Sequence, residues 1–150
     1  MNPPADVRMF HLALGIPVGE TPAIRRGELR ASLIEEEARE TVEAIRAGDL
    51  VQTIDGLCDL LCVVHGAALE FGVDLDPFWA EVHKTNMAKA GGPAREDGKV
   101  LKPEGWTPPR IAELLRTLCA CGHHHDSGYD NEDVGCRVCE CATWTELVAA

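Results

Sequence analysis

Apolar residues recur at helical spacing through most of residues 1–90, and the breaks between the periodic stretches carry their own signals. Asp6 can cap a first short helix that runs to about Leu14, after which "GIPVGETP" interrupts the pattern with Gly15, Pro17, Gly19 and Pro22. A long helix is predicted from about Gly27 to Ala47, stopped by Gly48. Asp49 opens the next, which runs to Phe71 and stops at Gly72. A fourth begins near Pro77, a residue suited to a first helical turn, and continues to about Ala90 before "GGP". No alternating run of strand length is present. A Gly/Pro-rich segment follows, then a short helix in "PPRIAELLRTL", and the chain finishes in a Cys/His cluster. The expected fold is all-α: a helical domain over 1–110 and a small C-terminal module over 111–150, with no internal repeat.

The second helix contains "LIEEEARE", an acidic run whose members are not equivalent. At about 100° per residue, Leu29, Leu33, Ile34, Val42, Ala44 and Ile45 form an apolar arc. Glu35, Arg39, Glu43 and Arg46 share the opposite face, where Glu35/Arg39 and Arg39/Glu43 are spaced to pair one turn apart. Glu37 and Glu40 instead lie among the leucines, and Glu36 sits at the edge of that arc. The third helix is apolar in almost every direction, yet Asp55, Asp59, Gly66 and Glu70 share one side. A helix of that kind is expected to be covered on most sides, in part by another subunit. Buried carboxylates cost several kcal/mol each unless they are protonated, paired or bound to metal. Arg30 is the nearest basic candidate. Carboxylates converging from two neighbouring helices suit Mg²⁺ or Mn²⁺, hard cations that take oxygen ligands. A solvated helix face is the ordinary explanation of an acidic run, and the aspartate pair one helix later tips the balance away from it.

Composition narrows the field. With 45% hydrophobic and 26% charged residues, the chain has globular proportions, and its net charge of −11 argues against non-specific nucleic-acid binding. The N-terminus lacks a basic segment leading into a long apolar run, and no stretch is expected to span a bilayer, so a cytoplasmic protein is expected. Cys58 and Cys62 fall in the apolar helical pattern, whereas five cysteines crowd the C-terminus with three histidines, as a metal site in a reducing compartment would require.

The ordered segments "LIEEEARETVEAIRAGDL", "IDGLCDLLCVVHGAALEFGVDLDPFWAEVHKTNMAK" resemble the all-α nucleoside triphosphate pyrophosphohydrolases, the MazG-like and phosphoribosyl-ATP pyrophosphohydrolase-like superfamily, over roughly Asp6 to Pro109. The motif E-E-x-x-E of that superfamily matches Glu36, Glu37 and Glu40. Its second motif, E-x-x-D, ends at Asp59, but the position three before is Gly56, and the acid lies four before at Asp55. The resemblance implies hydrolysis between the α and β phosphates of a nucleoside triphosphate, releasing a monophosphate and pyrophosphate. Mg²⁺ or Mn²⁺ would be held by Glu36, Glu37, Glu40 and Asp59 with Asp55 assisting, and Glu37 is assigned to position or deprotonate the water. It also implies a homodimer or a dimer of dimers.

Lys84 to Arg110 is the one basic region, with Lys84, Lys89, Arg95, Lys99, Lys102 and Arg110 against Glu96, Asp97 and Glu104. On the fourth helix Asn86 and Lys89 share a face with Phe78 and Trp79, read as the inward one. By resemblance, Asn86 is placed on base or sugar and Lys89 on phosphate, with Lys84, Lys99 and Lys102 as further phosphate candidates. Solvated lysines are an equal alternative for those last three. His83 projects away, and His65 lies in a helix expected to be buried. At the C-terminus, C-x-C-G-H and C-x-x-C-x-C give a structural Zn²⁺ site drawn from Cys119, Cys121, Cys136 and Cys139, with His123, His125 and Cys141 competing. The leading expectation is a Mg²⁺-dependent pyrophosphohydrolase of a (deoxy)nucleoside triphosphate, with pyrimidines such as dUTP or dCTP among the candidates, in nucleotide housecleaning. Two rivals stand: a hydrolase of another phosphate anhydride such as a phosphoribosyl-nucleotide, and a non-catalytic zinc-containing nucleotide-binding or interaction protein.

Overall fold

A computed structural model describes residues 2–116. The zinc candidates Cys119, Cys121, His123, His125, Cys136, Cys139 and Cys141 lie outside them. Among the described residues there are five helices: α1 (Pro3–Leu14), α2 (Gly27–Ala47), α3 (Leu50–Glu70), α4 (Asp76–Met87) and α5 (Ile111–Arg116). Among the described residues there is no strand, only an isolated antiparallel bridge between Ala94 and Val100. The helix boundaries follow the local signals closely. Gly48 ends α2 in the left-handed conformation that glycine adopts without a Cβ penalty, and the Asp49 side chain accepts from the Gln52 N–H at 3.0 Å to cap α3. α1 starts earlier than expected: the Asn2 side chain caps it, and Asp6 sits within the first turn, where its charge favours the helix dipole. α4 ends at Met87 rather than near Ala90.

The chain divides into two compact units, Met1–Val73 and Asp74–Ala150. In the first, the short Gly48–Asp49 link turns α3 back along α2, and α1 packs against α3. Val7, Ala67 and Ala68 are its buried apolar residues. The loop between α1 and α2 is strapped to the end of α3, with the Gly19 and Ala23 N–H groups donating to the carbonyls of Leu69 and Phe71 at 2.8 and 2.9 Å. The apolar arc read from the sequence is only partly covered. Leu33, Ile34 and Ala44 are half-buried, whereas Leu29, Val42 and Ile45 are exposed, as are Leu50, Val51, Ile54, Leu57 and Leu61 on α3. Within one chain α2 and α3 chiefly face each other, and two helices cannot cover apolar faces that run nearly all the way round. By length and mean hydropathy α3 also meets the requirement for crossing a membrane, contrary to the expectation that no segment would. Asp55 and Asp59 near its middle would be costly in lipid.

In the second unit Phe78 and Thr85 are buried and Val82 and Lys89 half-buried, which defines the inward face of α4. Trp79, expected on that face, is 67% exposed, and Asn86 is exposed too. The segment after α4 folds back over 93–101, where Leu101 N–H donates to Pro93 and Arg95 N–H to Lys99, at 2.7 and 2.8 Å. Trp106 then donates its indole N–H to the Thr85 carbonyl at 2.9 Å, tying this segment to α4.

Candidate active site

The long helices α2 and α3 carry charge at both ends of their contact, in two different states. Where α2 begins and α3 ends, Glu70 is 1% exposed and is held by two arginines. Arg26 reaches it through Nε and through Nη2, the latter at 2.8 Å, and Arg30 donates its Nε–H at 2.5 Å. Hydrogen bonding from Arg26 is the main reason the Glu70 carboxyl is held below the usual carboxylate range; burial opposes it and Arg30 adds to it. Arg26 adopts a left-handed backbone at φ 45°, unusual for a residue with a side chain, and its grip on Glu70 fixes it there. His11 of α1 is 2% exposed in the same cluster. Burial first, then the Arg30 charge, push its pKa down. A Cβ on Gly66 would meet His11 Nε2 at 3.0 Å and Arg30 Nη1 at 3.1 Å, so glycine admits this cluster to the face of α3. Sequence reading had offered Arg30 to the aspartates. It is committed to Glu70 instead. The signal was available, since Arg26 and Arg30 are one turn apart and Glu70 shares a face with the aspartates.

At the other end the carboxylates have no such partners among the described residues. Glu37 is half-buried, and its carboxyl is pushed above the usual range by burial first, then by the charges of Asp59, Glu40, Glu36 and Asp55. That set of influences places all five acids around one region of the α2/α3 contact. Cys62 borders the same region, its thiol raised by burial and then by Asp59 and Glu37. An open groove of about 400 Å³ is lined by Glu40, Glu43, Ala44, Ala47, Asp49, Gln52, Asp55, Gly56 and Asp59. Glu36, Glu40, Asp55 and Asp59 are exposed, so the penalty foreseen for burying them is not incurred within this chain. Glu43, read from the sequence as a surface partner of Arg39, lines the groove, and neither the Glu35/Arg39 nor the Arg39/Glu43 ion pair forms. Both glutamates and Arg39 are exposed, where such pairs contribute little.

Apart from the Gln52 amide, the polar side chains lining this groove are carboxylates, a set of oxygen donors suited to a hard divalent cation. Among the described residues no three acidic, His or Cys side chains converge tightly enough to enclose an ion as they stand. The glutamate side chains have the rotamer freedom to close on a cation. The donor chemistry therefore fits.

A family model described as phosphoribosyl-ATP pyrophosphohydrolase matches residues 7–86, a stretch that includes every carboxylate of the groove. The chain belongs to this family. Membership places it in the MazG-like all-α NTP pyrophosphohydrolase superfamily, hydrolases that act on phosphate anhydrides. The helical, sheet-free architecture of the described residues agrees with it. No curated protein matches the chain.

The family match stops at Asn86, short of most of the basic region. There Lys89 Nζ donates to Asn86 Oδ1 at 2.7 Å and lies 5.5 Å from the centre of the Trp106 ring; Lys102 Nζ lies 4.1 Å from the same ring. Neither lysine forms an ion pair among the described residues, and both lie within cation–π range of the Trp106 ring. Lys84 is different, since its Nζ lies 3.8 Å from Glu81, and Lys99 joins the loop through its backbone N–H to Asp97. The four candidate phosphate lysines thus separate into a pair gathered on one indole and two that are not. Trp106 was not singled out in the sequence. Its signal was an isolated tryptophan in a basic, Gly/Pro-rich stretch.

Proposed function

We propose that the protein hydrolyses the α–β phosphate anhydride of a nucleoside triphosphate, canonical or modified, to the monophosphate and pyrophosphate, in a Mg²⁺- or Mn²⁺-dependent reaction. The observation that carries this reading is the unneutralised carboxylate set Glu36, Glu37, Glu40, Asp55 and Asp59 around one helix contact, in a chain that neutralises Glu70 fully a few turns away. Those residues would hold the divalent ions, which when bound supply charge neutralisation for the triphosphate and a more acidic attacking water. Glu37 is assigned to take the proton from that water on a carboxylate oxygen, as the half-buried acid of the set. The new P–O bond forms at the α phosphorus as pyrophosphate departs. Lys89 and Lys102 are assigned to the phosphates, Asn86 to base or sugar, and Lys84 and Lys99 to weaker phosphate contacts.

A second substrate reading has a specific support: the family description names a phosphoribosyl-nucleotide. The two differ in what the base carries, while the cleaved anhydride has the same chemistry. Pyrophosphate release measured with Mg²⁺ across the dNTPs, the NTPs and phosphoribosyl-ATP tests both. Turnover confined to dUTP and dCTP supports pool control of pyrimidines; turnover confined to phosphoribosyl-ATP supports the second reading. Silence across the panel, with nucleotide still bound, moves the protein to a non-catalytic binding role. The exposed apolar side chains of α2 and α3 support a homodimer or homotetramer, which light scattering tests. The C-terminal cysteines are assigned to Zn²⁺, and metal analysis of protein purified without chelators tests that assignment.

A further inference from the structure

Gly56 stands where the superfamily motif has an acid, and the reason lies in the helix contact. A Cβ built at position 56 would lie 2.6 Å from Thr41 Oγ1, 3.2 Å from Thr41 Cα and 3.3 Å from Thr41 Cβ. The first distance is too short for any real side chain, and the next two involve the body of α2 rather than a flexible tip. Thr41 cannot readily turn aside. It is 4% exposed, and its hydroxyl donates to the Glu37 carbonyl at 2.7 Å. Position 56 therefore faces α2, and a side chain there would have to force the two helices apart before it could reach anything else.

The contact sits among the acids. Thr41 follows Glu40 directly and Glu37 by one turn, while Gly56 adjoins Asp55 and precedes Asp59 by less than a turn. Gly56, Glu40, Asp55 and Asp59 line one groove. We infer that the Gly56–Thr41 contact is the spacer that sets the distance between the glutamates of α2 and the aspartates of α3, and that it closes position 56 to a metal-ligating side chain, leaving that duty to Asp55. This rests on the divalent-cation reading of the groove. The glycine is a positioning residue: its missing Cβ lets the two carboxylate rows approach closely enough to share an ion. Restoring the superfamily acid with Gly56→Glu would then weaken the site instead of completing it.

Two measurements test the spacer separately from the reading on which it rests. The first is thermal stability without metal. Alanine is the better helix former, so at an open position Gly56→Ala would raise Tm. The spacer requires Tm to fall by several degrees, and Thr41→Ala, which removes the nearest atom, to recover at least half of that loss in the T41A/G56A double variant. A raised Tm in Gly56→Ala overturns the inference whether or not the protein binds metal. The second is Mn²⁺ titration by calorimetry on the full-length protein. Gly56→Ala and Gly56→Glu are expected to bind at least tenfold more weakly than wild type, with T41A/G56A regaining much of the affinity. Binding within twofold of wild type in Gly56→Glu overturns the inference. Failure of the cation reading shows differently, as wild type and Asp59→Asn titrating alike.

Discussion

Two ends of one helix pair treat the same chemical group in opposite ways. At the α2 start, Glu70 is sealed from solvent and bound by Arg26 and Arg30, so its charge is spent on structure. Around Thr41 and Gly56, five carboxylates press on one another with no cation supplied by the described residues. The same helix pair matches two arginines to Glu70 and leaves the second set of acids unmatched among the described residues, at a cost in repulsion. The difference separates acids that hold the helices together from acids that await a ligand.

The largest effect is expected at the neutralised end. Glu70→Ala leaves two arginines facing an apolar site, one of them buried, and should cost about 3–5 kcal/mol in chemical denaturation. A loss below about 1 kcal/mol would show that this cluster is dispensable and blur the contrast. At the other end, Asp59→Asn and Glu37→Gln should each lower Mg²⁺-dependent turnover by about a hundredfold to a thousandfold, while Tm without metal holds or rises because a like charge has gone. Mg²⁺ should raise the Tm of wild type and fail to do so for Asp59→Asn. Variants that fold and keep wild-type turnover would remove these residues from the reaction.

Acidification should act on the two ends with opposite sign. The Glu70 pKa is depressed on folding, so its stabilisation is complete above the unfolded carboxylate pKa and is lost as pH falls through the folded value. The stability advantage of wild type over Glu70→Gln should therefore shrink in acid. His11, also depressed, adds acid destabilisation that begins as pH falls through the normal imidazole range, where the unfolded chain takes up a proton that the folded one refuses. The Glu37 pKa is raised, so its ionised form is a burden that protonation relieves. Glu37→Gln should be the more stable protein at neutral pH without metal, with the gap closing as pH falls through the raised Glu37 value. Melts of the three proteins across the acid range read both signs.

Smaller effects follow. Trp106→Ala frees Lys89 and Lys102, and at about 0.5–1 kcal/mol per exposed cation–π contact the KM should rise several-fold with kcat nearly unchanged. Glu35→Gln should change neither turnover nor stability beyond about 0.5 kcal/mol, since Glu35 is exposed and forms no ion pair among the described residues. A loss of turnover there would erase the line drawn within the acidic run.

Much of this architecture was readable because its signals are local. Gly48 and Asp49 mark a helix stop and start through their own backbone and side-chain preferences, and both boundaries fall where expected. The division of "LIEEEARE" also held in part: Glu37 turns inward to the half-buried contact, and Glu35 stays outside. Helical phase did not show Arg30 bound to Glu70, because phase gives direction on one helix without saying which residue stands opposite on the next. It put Glu43 on the surface, where it is exposed, without showing that the groove reaches it, and it misplaced Trp79, because two neighbouring aromatics cannot both face one narrow contact.

From the sequence alone came the helices, their caps and the rows of acid along them, because these depend on residues within a turn or two of one another. The tertiary structure decided which acids are neutralised, which remain open, and why glycine occupies position 56. Those outcomes depend on how closely α2 and α3 approach and on what lies across the gap, and a distance between two helices is a property of their packing that neither helix encodes by itself.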